Sequence, residues 1–270
     1  MSADWPTAAE WLASGEQGGL VVAGVPAVEH AVTPSRYDLA PAALRNRLAR
    51  LSYVPDLPPV VDLGDSLTPP PLTAPLTVLL GGHNAVTFHA LAGERRLDDW
   101  GLLTVDAHHD VRAYEPDRVG NGSPVRALLD AGLAGRNVVQ VGIQPFSNSR
   151  QHRDWCEERG VDWYGPETID DVPALLHDLA ARCRHVYVDI DLDALDRAFA
   201  PGCPGARPGG ITPRQLFEAA FAAGIHSSVR AVDIVEVDPE ADVAHLTVDA
   251  AALTLLNVAA GFAAREPPPS

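Results

Sequence analysis

Short apolar runs alternating with amphipathic helical stretches predict an α/β protein, a single three-layer α/β/α domain on a mostly parallel sheet. Two observations carry that expectation. The runs are continuous rather than alternating, as expected of strands covered on both faces. The intervals between them hold a helix but are too uneven for the eight regular units of a (β/α)8 barrel. With 270 residues, 46% hydrophobic and 21% charged, the chain has material for one sizeable core.

In order along the chain, runs rich in Val, Ile or Leu predict strands at 20–25, 77–80, 102–105, 137–142, 185–190 and 231–235. Apolar residues at helical spacing predict helices at 41–51, 150–159, 172–182, 213–223 and 250–263. The Pro-rich stretch 54–75 reads as a loop or connector. The domain is taken as 1–270, with 1–19 and 264–270 peripheral.

The formal net charge is −16, and all 20 basic residues are arginine. An acidic chain repels nucleic acid and anionic membrane. No apolar run is read as approaching the ~18–20 residues that span a bilayer. The N-terminal stretch has acids and no basic segment, so it does not read as a secretion signal. Cys156, Cys183 and Cys203 are dispersed without CxxC spacing. That pattern argues against a disulfide framework and fits a reducing cytoplasm.

Ligands of open parallel sheets bind beyond the carboxyl ends of the strands. Three such ends are unusual here. In LLTVDAHHDVR, alternation puts Asp106, His108 and Asp110 on one side as the chain leaves its strand, a set that suits a divalent cation. His109 alternates away and reads as a hydrogen-bonded structural histidine. In HVYVDIDLDALD, Asp189, Asp191 and Asp193 fall at alternate positions, with no Lys or Arg in the run to neutralise them. Asp191 and Asp193 read as metal ligands, and Asp196 as a cap for the next turn. Glu236 ends the run at 231–235, a single acid that means little alone. Four carboxylates and one imidazole exceed what one tetrahedral Zn2+ uses. Oxygen-rich mixed sites favour Mn2+-like ions. Shared carboxylates hold two such ions roughly 3.5–4 Å apart in sites that generate hydroxide at neutral pH. The expected chemistry is hydrolysis.

VDAHHD resembles the DAHxD signature of the ureohydrolases, the family of arginase, agmatinase and formimidoylglutamase. DLDALDRAFAPGCPGARPGG resembles their DxDxxDPxxxPGxxxPxxGG segment, with Arg197 in place of Pro. EVDP at 236–239 resembles their EVNP-type motif, LLGGHNAVT their GGDHS at a strand-to-helix junction, and GVPAVEHAVTPSRYDLAPAALR their early Gly/Pro-rich segment. The matches keep family order and cover about residues 20 to 260. The resemblance implies an arginase-like fold and a binuclear manganese site. Asp106 and Asp191 would bridge the ions, His108 and Asp193 would hold one, and Asp110 the other. A metal-bridging hydroxide would attack the sp2 carbon of a linear amidine or guanidine. Asp110 would orient it and pass on its proton, while Glu236 would pair with the cationic substrate group. A homo-oligomer, trimer or hexamer, is also implied.

Two departures from the family matter. Asn84 stands where GGDHS supplies a histidine ligand, so the second metal is expected to be held more weakly. His83 would substitute only if the turn shifted by one residue. Asn121 stands where arginases and agmatinases carry a proton-shuttling histidine, and its NGSP context approaches the SGTP of formimidoylglutamases. This favours N-formimidoyl-L-glutamate, cleaved to L-glutamate and formamide, over guanidines that release urea. Its two carboxylates call for cations, and Arg112 and Arg126 join Asn121 as substrate-binding candidates. Two other readings are a single-zinc deacetylase-like hydrolase and a catalytically degenerate family member. Retention of so many clustered charges argues against the degenerate one.

Overall fold

The computed structural model describes residues 5–15, 18–53, 56–115 and 117–265. The chain begins with α1 (Ala8–Leu12), β1 (Leu20–Val25), α2 (Ala40–Leu48), β2 (Val60–Asp65) and β3 (Leu76–Gly81). It continues through α3 (Ala85–Leu91), β4 (Trp100–Val105), α4 (Pro124–Asp130), β5 (Val138–Val141), α5 (Arg150–Glu158) and β6 (Asp162–Tyr164). The last elements are α6 (Val172–Ala180), β7 (His185–Asp191), α7 (Pro213–Ile225), β8 (Val229–Val235) and α8 (Leu246–Ala263). The strands form one sheet in the order β2-β1-β3-β8-β7-β4-β5-β6, wholly rather than mostly parallel.

Alternation along the strands divides the core into two layers. Val78, Leu103 and Val188 point to one face, where they meet Leu44, Leu176, Leu216 and Leu255 of α2, α6, α7 and α8. Leu79, Leu102 and Tyr187 point to the other, against Val86, Leu128 and Cys156 of α3, α4 and α5. β3, β4 and β5 are buried throughout, which is why they read as unbroken apolar runs. The single α/β/α domain expected from the sequence is the one observed.

Several elements differ from that expectation. β2 lies within the stretch 54–75 read as a connector. It is an edge strand paired to β1 alone and buried only at its first residue, so it needs no apolar run and tolerates bordering prolines. Arg45 of α2 fastens it, donating to the two oxygens of Asp62 at 2.7 and 2.8 Å and pairing with Asp65. β6, at the other edge, has three residues, too few to show a period. α4 is similarly short, although Pro124 at its start is a legible signal.

α1 is not peripheral. Thr7 and Glu10 form a capping box, Ala8, Trp11 and Leu12 join the core, and Trp11 Nε1 donates to Pro58 O at 2.8 Å. Residues 1–4, 16–17 and 54–55, and the tail 266–270, lie outside the described residues. α8 also exceeds its expected length. Its 18 residues are long and apolar enough to cross a membrane by length and composition, contrary to the expectation that no run approaches this. Here 61% of it is buried against the rest of the chain, and its Asp249 pairs with Arg47 of α2. Cys156, Cys183 and Cys203 are buried and free.

Candidate metal centre and substrate pocket

β3, β8, β7 and β4 are consecutive in the sheet, so the segments leaving them converge at one point on its carboxyl edge. Asn84 is the N-cap of α3, just after β3, and Glu236 follows β8. Asp191 ends β7, with Asp193 in the 3-10 turn beyond it. Asp106, His108 and Asp110 follow β4. Two sets of ligand atoms lie within 4.8 Å of one another: Asp106, His108 and Asp193, and Asp106, Asp110 and Asp191. Asp106 belongs to both.

The turns that hold these side chains are built from backbone donors. His108 N donates to Asp106 Oδ1 at 2.6 Å, Asp193 N to Asp191 Oδ1 at 2.8 Å, and Ala107 N to Asp193 Oδ1 at 3.0 Å. Asp110 and Glu236 adopt left-handed backbone conformations (φ 53° and 68°), which cost non-glycine residues energy and turn both side chains into the site. At Gly205 an added Cβ would strike the Asp193 carboxylate, so only glycine lets the 204–207 loop close over it.

The electrostatics are those of a cation site. Asp106, Asp110, Asp191, Asp193 and Glu236 are each at most 9% exposed. His108 is the imidazole among them, its Nδ1 2.6 Å from Asp193 Oδ2. Burial, then the neighbouring Asp193, pushes Asp106 up to about 7, and burial with neighbouring acids raises Asp110 and Asp191 well above the usual carboxylate range. Burial raises Glu236 to about 7, although N–H donors from Asn84 and Asn121 oppose it. Burial works against charge on His108, but Asp193 and Asp106 outweigh it and drive its pKa upward. Protons thus crowd where divalent cations would relieve the same repulsion, and this oxygen-rich set with one imidazole fits Mn2+-like ions.

Asn84, not His83, faces the second set. Its Nδ2 lies 2.9 Å from Asp110 Oδ2 and 3.3 Å from oxygens of Asp106 and Asp191. His83 is occupied elsewhere: Nε2 donates to Glu29 O at 2.7 Å and Nδ1 accepts from Ala85 N at 3.2 Å. His109 donates from Nδ1 to Gln140 Oε1 at 2.8 Å, a structural role. Asp196 caps its turn, accepting from Ala198 N and Gly209 N.

Asn121 is brought to Glu236. Its Nδ2 donates to Glu236 Oε1 at 2.9 Å, and its Oδ1 accepts from Val32 N at 2.8 Å. These residues, with His108, Asp110 and Arg112, line a pocket of about 170 Å3 over the two ligand sets. Arg126 does not line it. It projects from α4 into an adjoining depression, its guanidinium 5.2 Å from the Trp155 ring centroid.

Sequence reasoning missed three things. Arg207 lines the pocket, its Nη1 bound to the carbonyls of Pro204, Gly205 and Ala206. Tyr37 lines it too. Beneath the centre, Asp189 faces Asp233 across β7 and β8 instead of joining the ligand sets. Asp233 Oδ2 accepts from Tyr187 Oη at 2.8 Å and lies 2.7 Å from Thr87 Oγ1. An acid inside an apolar run, as at Asp233 in AVDIV, is the signal that would have found this pair.

The arginase-family model matches residues 71–261. The formimidoylglutamase of Halalkalibacterium halodurans is 39% identical over 195 residues, 68% of this chain; the match spans 60% of that protein's length. An agmatinase of Bacillus cereus is 34% identical over 168 residues, 60% of this chain and 56% of that protein. The crystal structure of Bacillus subtilis formimidoylglutamase superposes with a TM-score of 0.87 at 26% identity, over 99% of this chain and 95% of that one. Trypanosoma cruzi formiminoglutamase with Mn2+2 shares the fold at a TM-score of 0.84 and 22% identity, over 97% of this chain and all of that one. A parallel α/β domain with clustered carboxylates at its carboxyl edge thus carries the family's motifs over most of its length. The chain belongs to the arginase family.

Proposed function

We propose that the chain is a manganese-dependent hydrolase that cleaves N-formimidoyl-L-glutamate to L-glutamate and formamide. The observation that carries this reading is the pair of ligand sets sharing Asp106 beneath a pocket that Glu236, Asn121 and Arg112 line. The formimidoylglutamase relative at 39% identity and the Mn2+ of the Trypanosoma cruzi relative support it.

Asp106, His108 and Asp193 would hold one ion, and Asp106, Asp110 and Asp191 the other, with Asp191 as a second shared ligand by resemblance. Bound there, the ions supply an activated water at neutral pH and neutralise the clustered charge. Glu236, fixed by Asn84 N–H and Asn121 Nδ2, pairs with the amidinium through charge-assisted hydrogen bonds. Asp110 accepts a proton at its carboxylate and returns it to the departing amine nitrogen. Water adds across the C–N bond, giving formamide on one side and the free amine of glutamate on the other. Arg112 pairs with a substrate carboxylate. The enzyme works in the cytoplasm as a homo-oligomer, a trimer or hexamer.

The test is a product assay on metal-stripped protein reloaded with Mn2+, offered N-formimidoyl-L-glutamate, arginine, agmatine and guanidinobutyrate in parallel. Formamide and glutamate from the first alone is the expected result. Urea from any of the others would reassign the chain to guanidine hydrolysis.

A further inference from the structure

One side chain in the wall of the proposed amidine site has no part in the proposed chemistry. Tyr37 lines the pocket over the ligand sets together with Glu236, yet only 1% of its surface is exposed. It opens the 3-10 turn Tyr37–Leu39 ahead of α2. That turn is fastened to the segment after β8: Arg36 N donates to Asp238 Oδ2 at 3.1 Å, and the Arg36 guanidinium reaches Glu240 at 3.3 Å. Asp238 is itself buried and anchored, its N donating to Gly202 O at 2.8 Å. On another side the Tyr37 ring stands edge-on to His83, with centroids 6.1 Å apart. Two segments that leave the sheet, one after β3 and one after β8, thus fix Tyr37 at the wall it shares with Glu236.

Glu236 needs such a neighbour. Its two N–H donors, Asn84 N and Asn121 Nδ2, each at 2.9 Å, fall on the same oxygen, Oε1. Contacts at one oxygen leave a carboxylate free to pivot about it, whereas pairing with an amidinium through two parallel hydrogen bonds requires a fixed plane. A third donor from a different segment removes that freedom. It has to be neutral, because a Lys or Arg there would cancel the charge that draws a cationic substrate. Tyr37 meets both conditions. Burial, then the Glu236 carboxylate, raises the phenol well above its usual range, so it keeps its proton and is a donor to an acid. Hydrogen bonding from Tyr37 is in turn among the influences, after Asn84 and Asn121, that oppose the effect of burial on Glu236.

We propose that Tyr37 is a positioning residue for Glu236: its hydroxyl donates to the carboxylate and, with Asn84 and Asn121, sets the plane that meets the amidinium. The proposal rests on reading Glu236 as the partner of a cationic amidine. It adds a residue to that recognition, and a rule of selectivity. Three neutral donors orient the acid without neutralising it, so the site holds a planar cation more tightly than an uncharged amide of the same shape. Formamide, the uncharged product, is released for the same reason.

The experiment compares wild type, Tyr37→Phe, Glu236→Gln and the double variant, all Mn2+-loaded. Formamidinium and uncharged formamide, nearly alike in shape, are the probes for calorimetric titration, and N-formimidoyl-L-glutamate is the substrate. Tyr37→Phe keeps the ring against His83, so it should fold and bind Mn2+ as wild type does. It should bind formamidinium about tenfold more weakly and formamide unchanged, with KM raised about tenfold and kcat changed little. In the Glu236→Gln background the same change should have no further effect. Undiminished binding of formamidinium by Tyr37→Phe, equal weakening of formamide, or an equal loss with and without Glu236 overturns the proposal. Tyr37-dependent binding of formamidinium in a protein that releases no formamide from N-formimidoyl-L-glutamate would instead sink the assigned reaction and leave the role of Tyr37 standing.

Discussion

Asp106 lies in both ligand sets, and its burial has opposite consequences with and without cations. Metal-free, its carboxyl and that of Glu236 are pushed up to about 7, chiefly by burial. Values raised above those of the unfolded chain mean that the folded state holds more protons, so stability falls as pH rises from about 4 through about 7. Divalent ions remove that loss. Melting of stripped and Mn2+-loaded protein across this range should therefore show a gap in Tm that widens with pH; a constant gap would contradict the assignment. Glu236→Gln should lower kcat/KM by about 100-fold or more while the bound metal is unchanged, since it removes the charge pairing proposed with the substrate and no member of either ligand set. Asn84→His should tighten the weaker ion by about tenfold, read by Mn2+ titration, because an imidazole is the better ligand. The proposed ligands were legible because acids at alternate positions after an apolar run have few other uses. Arg207 and Tyr37 were not, because each comes to the pocket only through loops that the fold brings together.

α7 and α8 cross closely at Gly224 and Gly261, where an added Cβ at Gly224 would strike the backbone of Val258 and Phe262. In an exposed helix, Gly→Ala stabilises by up to about 1 kcal/mol. Here Gly224→Ala should instead destabilise by about 1–3 kcal/mol, since backbone cannot yield as a side chain would. Urea unfolding checks the sign. The central strands and long helices could be read from sequence because burial on one or two faces writes a period into them. β2 and β6 could not, because an edge strand with few buried positions carries none. α1 looked like a tail because five residues show no period, although its capping box was in view. Asp189, inside β7, lies opposite Asp233 of β8, and of the three alternating acids only Asp191 and Asp193, the two read as ligands from the sequence, belong to the ligand sets.

At the scale of the whole molecule, the charge of −16 has a location: much of its costliest part is gathered at the carboxyl ends of four adjacent strands. The sheet order makes this possible. β8 and β7 insert between β3 and β4, so segments far apart in sequence contribute to one centre, with the arginine-lined depression opening beside it. The motifs revealed the family and pointed to the proposed chemistry, whereas the shape of the pocket came only from the fold. The most direct test of a two-ion centre organised by one shared carboxylate is Mn2+ stoichiometry by titration of stripped protein, wild type against Asp106→Asn. Two ions per chain in wild type, with both weakened in the variant, is the predicted result. A single tight Zn2+ in wild type, or loss of one ion alone in the variant, would contradict it.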